Sequence, residues 1–373
     1  MEETILKTNL SLKSALIISV MALGISACGT TQQSAPATST PTPAKELTVA
    51  EIQTQAKQEG KVVSVGMPDD WANWIETWGD MTSQYGLTHS DTDLTSSEEI
   101  AKFDAEKNNP TADIGDVGMA FAPIAMEKGV TMPYKTSYWK DIPDWAKDKE
   151  GHWMVGYQGT ISILVDKTQV KNPPKSWEDI EKGDYKVRIS DVTKSSQAQM
   201  GVLASAIAHG GNEGNIDPGL NFFAKLAKQN RLVSKDVTKA EVEKGEVQVA
   251  ILWDFVSLGF KDQIDPNRFE VYIPQEGSII GGYTTIINKY APHPNAAKLA
   301  REFILSDEGQ INLAKGYARP IRDNVKLPEE VAKKLIPGAQ YKNAKPITDF
   351  KLWDATSKKI PQMWQEQVLV HIK

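Results

Sequence analysis

The chain has 373 residues, of which 40% are hydrophobic and 24% charged, and its formal net charge at pH 7 is -6. This length favours two lobes over one ordinary core, and the acidic balance argues against a nucleic-acid partner. The only cysteine, Cys28, excludes an internal disulfide and a cysteine-built metal site in the folded body.

The N-terminal region has the pattern of an export signal that ends at a lipidated cysteine. Two lysines precede an apolar run, residues 15–25, which is too short for an ordinary membrane span. The run ends in Ile25-Ser26-Ala27-Cys28, which resembles a lipobox. We expect a lipoprotein signal peptide over residues 1–27, rather than an uncleaved anchor helix, because the small residues stop at a cysteine. Acylated Cys28 and a flexible linker then occupy residues 28–46.

Three strand-to-helix junctions follow, at residues 61–71, 91–99 and 112–118. Successive βα units predict a parallel sheet flanked by helices. Ligands of open α/β sheets gather at the carboxyl ends of the strands. The first junction would place Asp69, Asp70 and Trp71 there.

Several of these residues also have a purely structural explanation. Trp71, Trp74 and Trp78 share one helical face, which is typical of a core stripe, although Trp71 falls in the first turn beside the strand end. At the second junction, Thr95 or Ser96 is a suitable N-cap, yet a helix start also binds carboxylate or phosphate. At the third junction, Asp116 is either a turn residue or a ligand contact.

The middle of the chain predicts a long strand over residues 152–166 and a second set of strand-to-helix junctions. A strand over residues 187–192, with Asp191, leads into a helix that begins at Ser195 and Ser196. A further strand, residues 247–252, delivers Trp253-Asp254 at its carboxyl end. A carboxylate beside an indole ring is what a cation-binding pocket needs, so we expect this pair in the site.

The segment over residues 279–320 has the most distinctive order of features. Gly281-Gly282 predicts a flexible hinge before a β-branched strand that starts at Tyr283. An amphipathic helix over residues 296–304 follows, then a second helix capped by Ser306 and ended by Gly316, and then the extended loop Tyr317-Ala318-Arg319-Pro320.

This segment resembles the solute-binding proteins of ABC importers, in the cluster that includes ferric-ion, thiamine, polyamine and phosphonate or sugar-phosphate binders. The resemblance implies an α/β fold of the two-lobed periplasmic-binding-protein type (type II), whose parallel-sheet lobes with flanking helices are joined by two crossover strands. It implies a first lobe from residues 47–158 and 283–373, and a second from residues 159–282. Gly159 and Thr160 would then lie near the cleft.

The function implied by the resemblance is capture of a small solute between the lobes and its delivery to an ABC permease. We expect no catalysis and no cofactor, and a monomer held by its lipid anchor on the outer side of a bacterial membrane. The five histidines are scattered and no hydrolase or nucleotide-binding motif occurs. Ferric-ion binders usually present two adjacent tyrosines, which this chain lacks, so iron is a minor alternative.

The cleft-edge residues favour a cationic organic solute, polyamine-like or thiamine-like, bound by carboxylates and indole rings. The alternative is an anion such as a phosphonate or sugar phosphate, held by serines at helix starts with Arg319 nearby. An envelope hydrolase and an adhesin remain as alternative classes. The predicted site residues are Asp69, Asp70, Trp71, Ser96, Ser97, Asp116, Gly159, Thr160, Asp191, Ser195, Ser196, Trp253, Asp254, Tyr283 and Arg319.

Overall fold

Strands and helices alternate along residues 47–372, the part of the chain that the computed structural model describes. The strands are β1 (Lys61–Val65), β2 (Thr88–Thr92), β3 (Ile114–Gly118), β4 (Thr131–Met132), β5 (Trp153–Asp166), β6 (Val187–Ile189), β7 (Leu232–Ser234), β8 (Val249–Trp253), β9 (Phe269–Tyr272), β10 (Ser278–Asn288), β11 (Arg319–Pro320) and β12 (Ala344–Pro346).

Most helices follow a strand directly, as the βα pattern of the sequence predicts. They are α1 (Val49–Glu59), α2 (Trp74–Tyr85), α3 (Ser96–Ala105), α4 (Ala122–Glu127), α5 (Trp177–Lys182), α6 (Ser196–Ala208), α7 (Asp217–Lys228), α8 (Lys239–Glu243), α9 (Asp254–Ile264), α10 (Pro294–Ile304), α11 (Asp307–Lys315), α12 (Glu329–Ala332), α13 (Phe350–Ser357) and α14 (Ile360–Gln367).

The strand order is β2-β1-β3-β10-β5-β8-β6-β7, and two of these strands divide it into two sides. On one side, β1 pairs in parallel with β2 and β3; we call β1–β4 with α1–α4, α10 and α11 the first lobe. On the other side, β6 pairs in parallel with β7 and β8; we call β6–β9 with α5–α9 the second lobe. The predicted parallel βα units are confirmed on both sides.

Strands β5 and β10 cross between the two lobes as an antiparallel pair. Their register runs from Ile280 opposite Thr160 to Ile286 opposite Trp153, with an irregularity after Tyr283. Gly281 and Gly282 lie inside β10, and neither needs a positive φ. A Cβ on Gly282 would lie 2.0 Å from the carbonyl oxygen of Tyr157. These glycines therefore permit close packing of the two strands, and the flexible hinge stays a prediction.

The tryptophan stripe of α2 belongs to the core, as the sequence predicts for two of its three members. Trp74 and Trp78 are buried, and their rings stack at 5.8 Å. Helix α2 begins at Trp74, since Ala72 and Asn73 adopt left-handed conformations, so Trp71 lies in the turn before it. His89 stacks on Trp78 with ring centroids 4.0 Å apart, and burial lowers the pKa of His89 to about 4.

A buried arginine secures the loop that precedes β5. The guanidinium of Arg301 donates to the carbonyl oxygens of Tyr134, Gly151, His152 and Thr285. Burial lowers the pKa of Arg301 to about 9. An arginine suits this position because its fork of donors can satisfy several carbonyl groups at once.

The C-terminal segment returns to the second lobe. The rings of Phe223 in α7 and Trp364 in α14 lie 5.5 Å apart, and Thr348 donates to Glu213. Strand β12 also pairs with the start of β10. The sequence placed residues 283–373 with the first lobe, whereas the end of this segment packs on α7.

No helix among residues 47–372 is long and apolar enough to cross a membrane. The predicted signal peptide, Cys28 and the linker lie outside the described residues.

Candidate ligand-binding site

A cavity of about 750 Å³ lies between the two lobes. The first lobe contributes residues that follow β1 and β2, Asp116 of β3 and the start of α3, as the carboxyl ends of parallel strands meet at one edge. The second lobe contributes the start of α6 and one side of α9. The size suits a small organic solute.

Negative charge dominates the cavity wall. Two lysines line the cavity: Lys315 donates a hydrogen bond to Glu76, and Lys239 donates one to Gln263. Among its acidic residues, Asp262 pairs with Lys334 at 3.4 Å. The others form no ion pair with any residue between 47 and 372; they are Asp69, Asp70, Asp93, Glu99, Asp116 and Asp236. The cavity is therefore lined by acidic side chains that have no cationic partner among the described residues.

Two buried carboxyl groups form the floor of the cavity. Glu99 is 1% exposed and Asp116 is 0% exposed. The backbone N–H of Asp116 donates to Oε2 of Glu99 at 2.9 Å. Burial raises the pKa of both carboxyl groups well above the usual range, and repulsion by Asp116 adds to the effect on the pKa of Glu99.

An aromatic cluster adjoins this floor. The indole N–H of Trp71 donates to the hydroxyl of Tyr157 at 2.7 Å, and that hydroxyl donates to Oδ2 of Asp116 at 2.6 Å. The rings of Tyr157 and Tyr283 stack at 5.8 Å, and Trp71 meets Phe255 edge to face at 5.2 Å. Both crossover strands and the second lobe thus contribute rings to one cluster around Asp116.

The opposite wall is the start of α6. Ser195 caps the helix by accepting the N–H of Ala198, and Oε1 of Gln197 accepts the N–H of Trp253 at 2.8 Å. The hydroxyl of Ser196 is buried without a hydrogen-bond partner in the described part of the chain. It faces Gly118 of the first lobe, where a Cβ would lie 2.0 Å from it. The lobes are therefore in contact here.

Comparison with known proteins identifies the family. Residues 109–345 match the family of bacterial extracellular solute-binding proteins. The chain belongs to this family. Its function is therefore solute binding outside the cytoplasm, and not enzymatic catalysis.

Relatives in other bacteria cover most of this solute-binding protein. A probable ABC transporter periplasmic-binding protein of Sinorhizobium fredii is 25% identical over 72% of this chain and 75% of the relative. A putative 2-aminoethylphosphonate-binding periplasmic protein of Salmonella typhimurium is 23% identical over 71% of this chain and 79% of the relative.

Solved structures of similar shape support the fold. The periplasmic binding protein AfuA of Actinobacillus pleuropneumoniae, with fructose-6-phosphate bound, has a TM-score of 0.69 at 20% identity and covers 83% of this chain and 98% of its own. A periplasmic thiamin binding protein has a TM-score of 0.68 at 15% identity, and the match covers 84% of this chain and 96% of that protein's chain. The predicted two-lobed type II periplasmic-binding-protein fold is confirmed.

About half of the residues expected in the site of this solute-binding protein line the cavity. They are Asp69, Asp70, Trp71, Ser96, Asp116, Ser195, Ser196 and Tyr283. The others, Ser97, Gly159, Thr160, Asp191, Trp253, Asp254 and Arg319, lie outside its lining.

The expected cation pocket at Trp253 and Asp254 is instead part of the connection between the lobes. Trp253 is buried against the backbone of Gly159 and Gly281, where no Cβ would fit without displacement. Asp254 accepts the N–H of Thr160 at 2.9 Å and the hydroxyl of Tyr341 at 2.6 Å. The carboxylate thus has protein partners, which is how a buried aspartate becomes tolerable beside a tryptophan.

The remaining outliers are also engaged in structural contacts. Asp191 accepts from Thr193 and stabilises the turn before α6. The guanidinium of Arg319 stacks on the ring of Tyr341 at 3.9 Å and donates to the carbonyl of Ile336. These contacts leave Arg319 away from the serines that it was expected to assist in binding an anion.

Several lining residues were not expected from the sequence. Asp93 and Glu99 lie in the stretch whose sequence indicates a helix cap. Their acidic side chains were the only feature of the sequence that could have indicated a place in the site. Others lie within a helix, after a helix or, for Asp236, in the loop after β7, and no motif in the sequence marks these positions. They include Asp236, Phe255, Asp262 and Tyr317.

Tyr317 and Asp262 join the lobes at the edge of the cavity. The hydroxyl of Tyr317, which follows α11, donates to the carboxylate of Asp262 in α9. Tyr317 has a φ of 70°, a conformation uncommon for a residue with a side chain. Among residues 47–372, no group of three histidine, aspartate or glutamate side chains is placed to hold a metal ion.

Proposed function

We propose that this protein captures a cationic organic solute of the polyamine or thiamine type and delivers it to an ABC permease. The observation that carries the proposal is the set of cavity carboxylates without ion-pair partners among residues 47–372. Uncompensated charge in a partly desolvated cavity costs free energy, and a cationic ligand removes that cost. The relative in Sinorhizobium fredii supports the permease.

Binding would act through differential affinity for the closed arrangement of the lobes. A solute that touches both Asp116 and the wall at α6 gains contacts in the closed form that it lacks in an open one. Micromolar binding requires about 8 kcal/mol. A few charged hydrogen bonds of about 1.5–3 kcal/mol each supply most of it.

The test is a thermal-shift screen followed by calorimetry with polyamines, thiamine, choline-type cations, phosphonates and sugar phosphates. We expect a cation to stabilise the protein by about 2.7 kcal/mol at one hundred times its dissociation constant. Asp93→Asn should weaken cation binding twofold to fivefold, corresponding to about 0.5–1 kcal/mol. Asp323→Asn, which removes an equal charge outside the cavity lining, should change nothing. Stabilisation by anions alone would refute the cation proposal.

An anionic solute is the second candidate. It is favoured by the hydroxyl of Ser196 at the N-terminus of α6, which has no hydrogen-bond partner in the described chain, and by the name of the Salmonella typhimurium relative. A phosphonate that stabilises the protein, with an effect abolished by Ser196→Ala, would select this alternative.

We also propose that acylated Cys28 anchors the protein to the membrane. The proposal is supported by the apolar run that ends in Ile25-Ser26-Ala27-Cys28. In fractionated cells, Cys28→Ala should move the protein from the membrane to the soluble fraction while solute affinity stays the same. Retention in the membrane fraction would refute the anchor.

A further inference from the structure

Each carboxyl group at the floor of the cavity has one oxygen that accepts no hydrogen bond from the described chain. One oxygen of each is engaged: Oε2 of Glu99 accepts the N–H of Asp116, and Oδ2 of Asp116 accepts the hydroxyl of Tyr157. Oδ1 of Asp116 is buried without a hydrogen-bond donor among residues 47–372. Oε1 of Glu99 also accepts no hydrogen bond from that part of the chain. Both residues line the cavity.

The surroundings of these oxygens supply no cation. The indole of Trp74 lies near enough to lower the pKa of Asp116, but its N–H lacks hydrogen-bond geometry. Asp91 and Asp93 add further negative charge beside Glu99. A buried carboxylate that lacks donors is costly, and the missing donors have to come from the bound solute.

The aromatic cluster does not have the form of a cage for a quaternary ammonium. Such a cage needs ring faces arranged around an open point. Here Trp71 meets Phe255 at 5.2 Å and Tyr283 at 5.4 Å, while Tyr157 meets the same two rings at 5.6 and 5.8 Å. The four rings pack on one another, so the carboxyl groups are left as the recognition element.

We propose that the solute presents a primary or secondary ammonium group to Glu99 and Asp116, and that a quaternary ammonium is rejected. This inference rests on the proposed binding of a cation. An ammonium N–H reaches a carboxylate oxygen at about 2.7–2.9 Å. A trimethylated nitrogen offers no such hydrogen, so it leaves both oxygens unpaired, and loss of a required donor is strongly discriminating.

Binding of the ammonium should also release a proton. Burial raises the pKa of both carboxyl groups, and repulsion adds to this effect, from Asp116 on the pKa of Glu99 and from Asp91 on the pKa of Asp116. The pair therefore retains a proton at pH values where exposed carboxyl groups have lost theirs. An incoming ammonium takes the place of that proton. The affinity should therefore rise with pH until the pair is ionised. The titratable groups facing the pair are Asp91, Asp93, Tyr157 and Tyr283.

The experiment compares 1,4-diaminobutane and spermidine with their fully N-methylated counterparts, by calorimetry on the full chain. Each pair has the same charges on the same carbon chain and differs in N–H donors. We expect at least about 100-fold weaker binding of the methylated forms, since two lost donors cost about 1–3 kcal/mol each. Titrations in buffers of different ionisation enthalpy should show proton release by the amines.

The outcomes separate this inference from the proposed function. Equal affinity for the amines and their methylated counterparts would overturn the ammonium requirement and leave cation binding standing. Failure of all four compounds to bind would overturn the ammonium requirement, and failure of thiamine and the choline-type cations as well would overturn the proposed function. Asp116→Asn should remove most of the preference for amines over methylated forms, and Asp323→Asn should retain it. A preference that survives Asp116→Asn, in a variant that unfolds cooperatively, would contradict the assignment to this floor.

Discussion

Tyr157 of β5 connects the cavity floor to Trp71 through its hydroxyl and to β10 through its ring. It accepts the N–H of Trp71, donates to Asp116 and stacks on Tyr283. The hydroxyl thereby fixes the orientation of two side chains that line the cavity. Burial raises the pKa of Asp116. The hydroxyl of Tyr157 lowers it, because a donated hydrogen bond stabilises the ionised carboxylate.

Tyr157→Phe should retain the ring stacking and lose both hydrogen bonds. We expect the free energy of unfolding to fall by about 1–3 kcal/mol, since a buried carboxylate loses its donor. Amine affinity should fall by roughly tenfold, because Asp116 is no longer oriented. Urea unfolding and calorimetry measure the two effects. Tyr272→Phe is the control, as no hydrogen bond of that hydroxyl exists within the described chain; equal effects would contradict the assigned role.

Glu99→Gln tests whether the pKa of this carboxyl group at the cavity floor is raised. A carboxyl group whose folded pKa is raised stabilises the protein fully below its unfolded pKa of about 4.5, and this contribution is lost as pH rises through the folded pKa. The wild-type protein should therefore lose stability relative to Glu99→Gln as pH rises from 4 to 8 in the absence of solute. Urea unfolding across this range measures the difference, and a constant difference would refute the raised pKa.

Sequence position explains which site residues were predictable. Asp69, Asp70 and Asp116 follow or end predicted strands, where ligand contacts are expected. Tyr157 lies within a long apolar strand and Glu99 within a capped helix, where the same residue types are typical of a core or a solvated face. Asp116, Glu99 and Tyr157 come together only because α3 packs on β3 and because β10 alone separates β3 from β5 in the sheet.

At the scale of elements, the crossover pair β5 and β10 depends on close backbone approach. Glycines in β10 let the ring of Trp253 and the carbonyl of Tyr157 come nearer than a side chain would allow. The pair of glycines was recognisable in the sequence. The role of this pair in packing could not be predicted, because glycine is favoured both where the backbone must rotate freely and where a Cβ would not fit. Only the position of the neighbouring strand shows that a Cβ would not fit here.

Gly282→Ala should destabilise the protein by about 2 kcal/mol or more, because the new Cβ meets the carbonyl of Tyr157 and the strands have to separate. Gly79→Ala is the matched control. It lies in α2 with nothing within 4 Å of the added Cβ, so the gain in helix propensity should stabilise by about 0.5–1 kcal/mol. If thermal unfolding shows similar effects for the two variants, close packing is not the function of Gly282.

At the scale of the whole molecule, three stretches of chain connect the lobes. Strands β5 and β10 are two, and the third leads through β12 to α14, which packs on α7. The length of residues 152–166 indicates the first, and the resemblance to solute-binding proteins implies both as crossover strands. The third was missed because α13 and α14 are short helices whose pattern indicates a buried face without indicating the partner that covers it.

The contact between Tyr317 and Asp262 should favour the closed arrangement. Tyr317→Phe removes a hydrogen bond to a carboxylate that lies on the other lobe, a loss of about 1.5–3 kcal/mol in the closed form. We expect faster solute dissociation, at least about tenfold, and a larger radius of gyration in X-ray scattering. Lys333→Gln is the control, because its partner Glu329 is only four residues away, at the start of α12, and the pair does not join the lobes. An unchanged dissociation rate would contradict this role.

The unpaired carboxylates also make the rate of capture depend on the surrounding water. Their field extends about 30 Å from the protein at 0.01 M salt, but only about 3 Å at 1 M. In fresh water the cleft would gather dilute amines from a distance and bind them rapidly. In brine the same cleft would encounter them only by chance collision, so capture of a cationic solute should slow as the salt concentration rises.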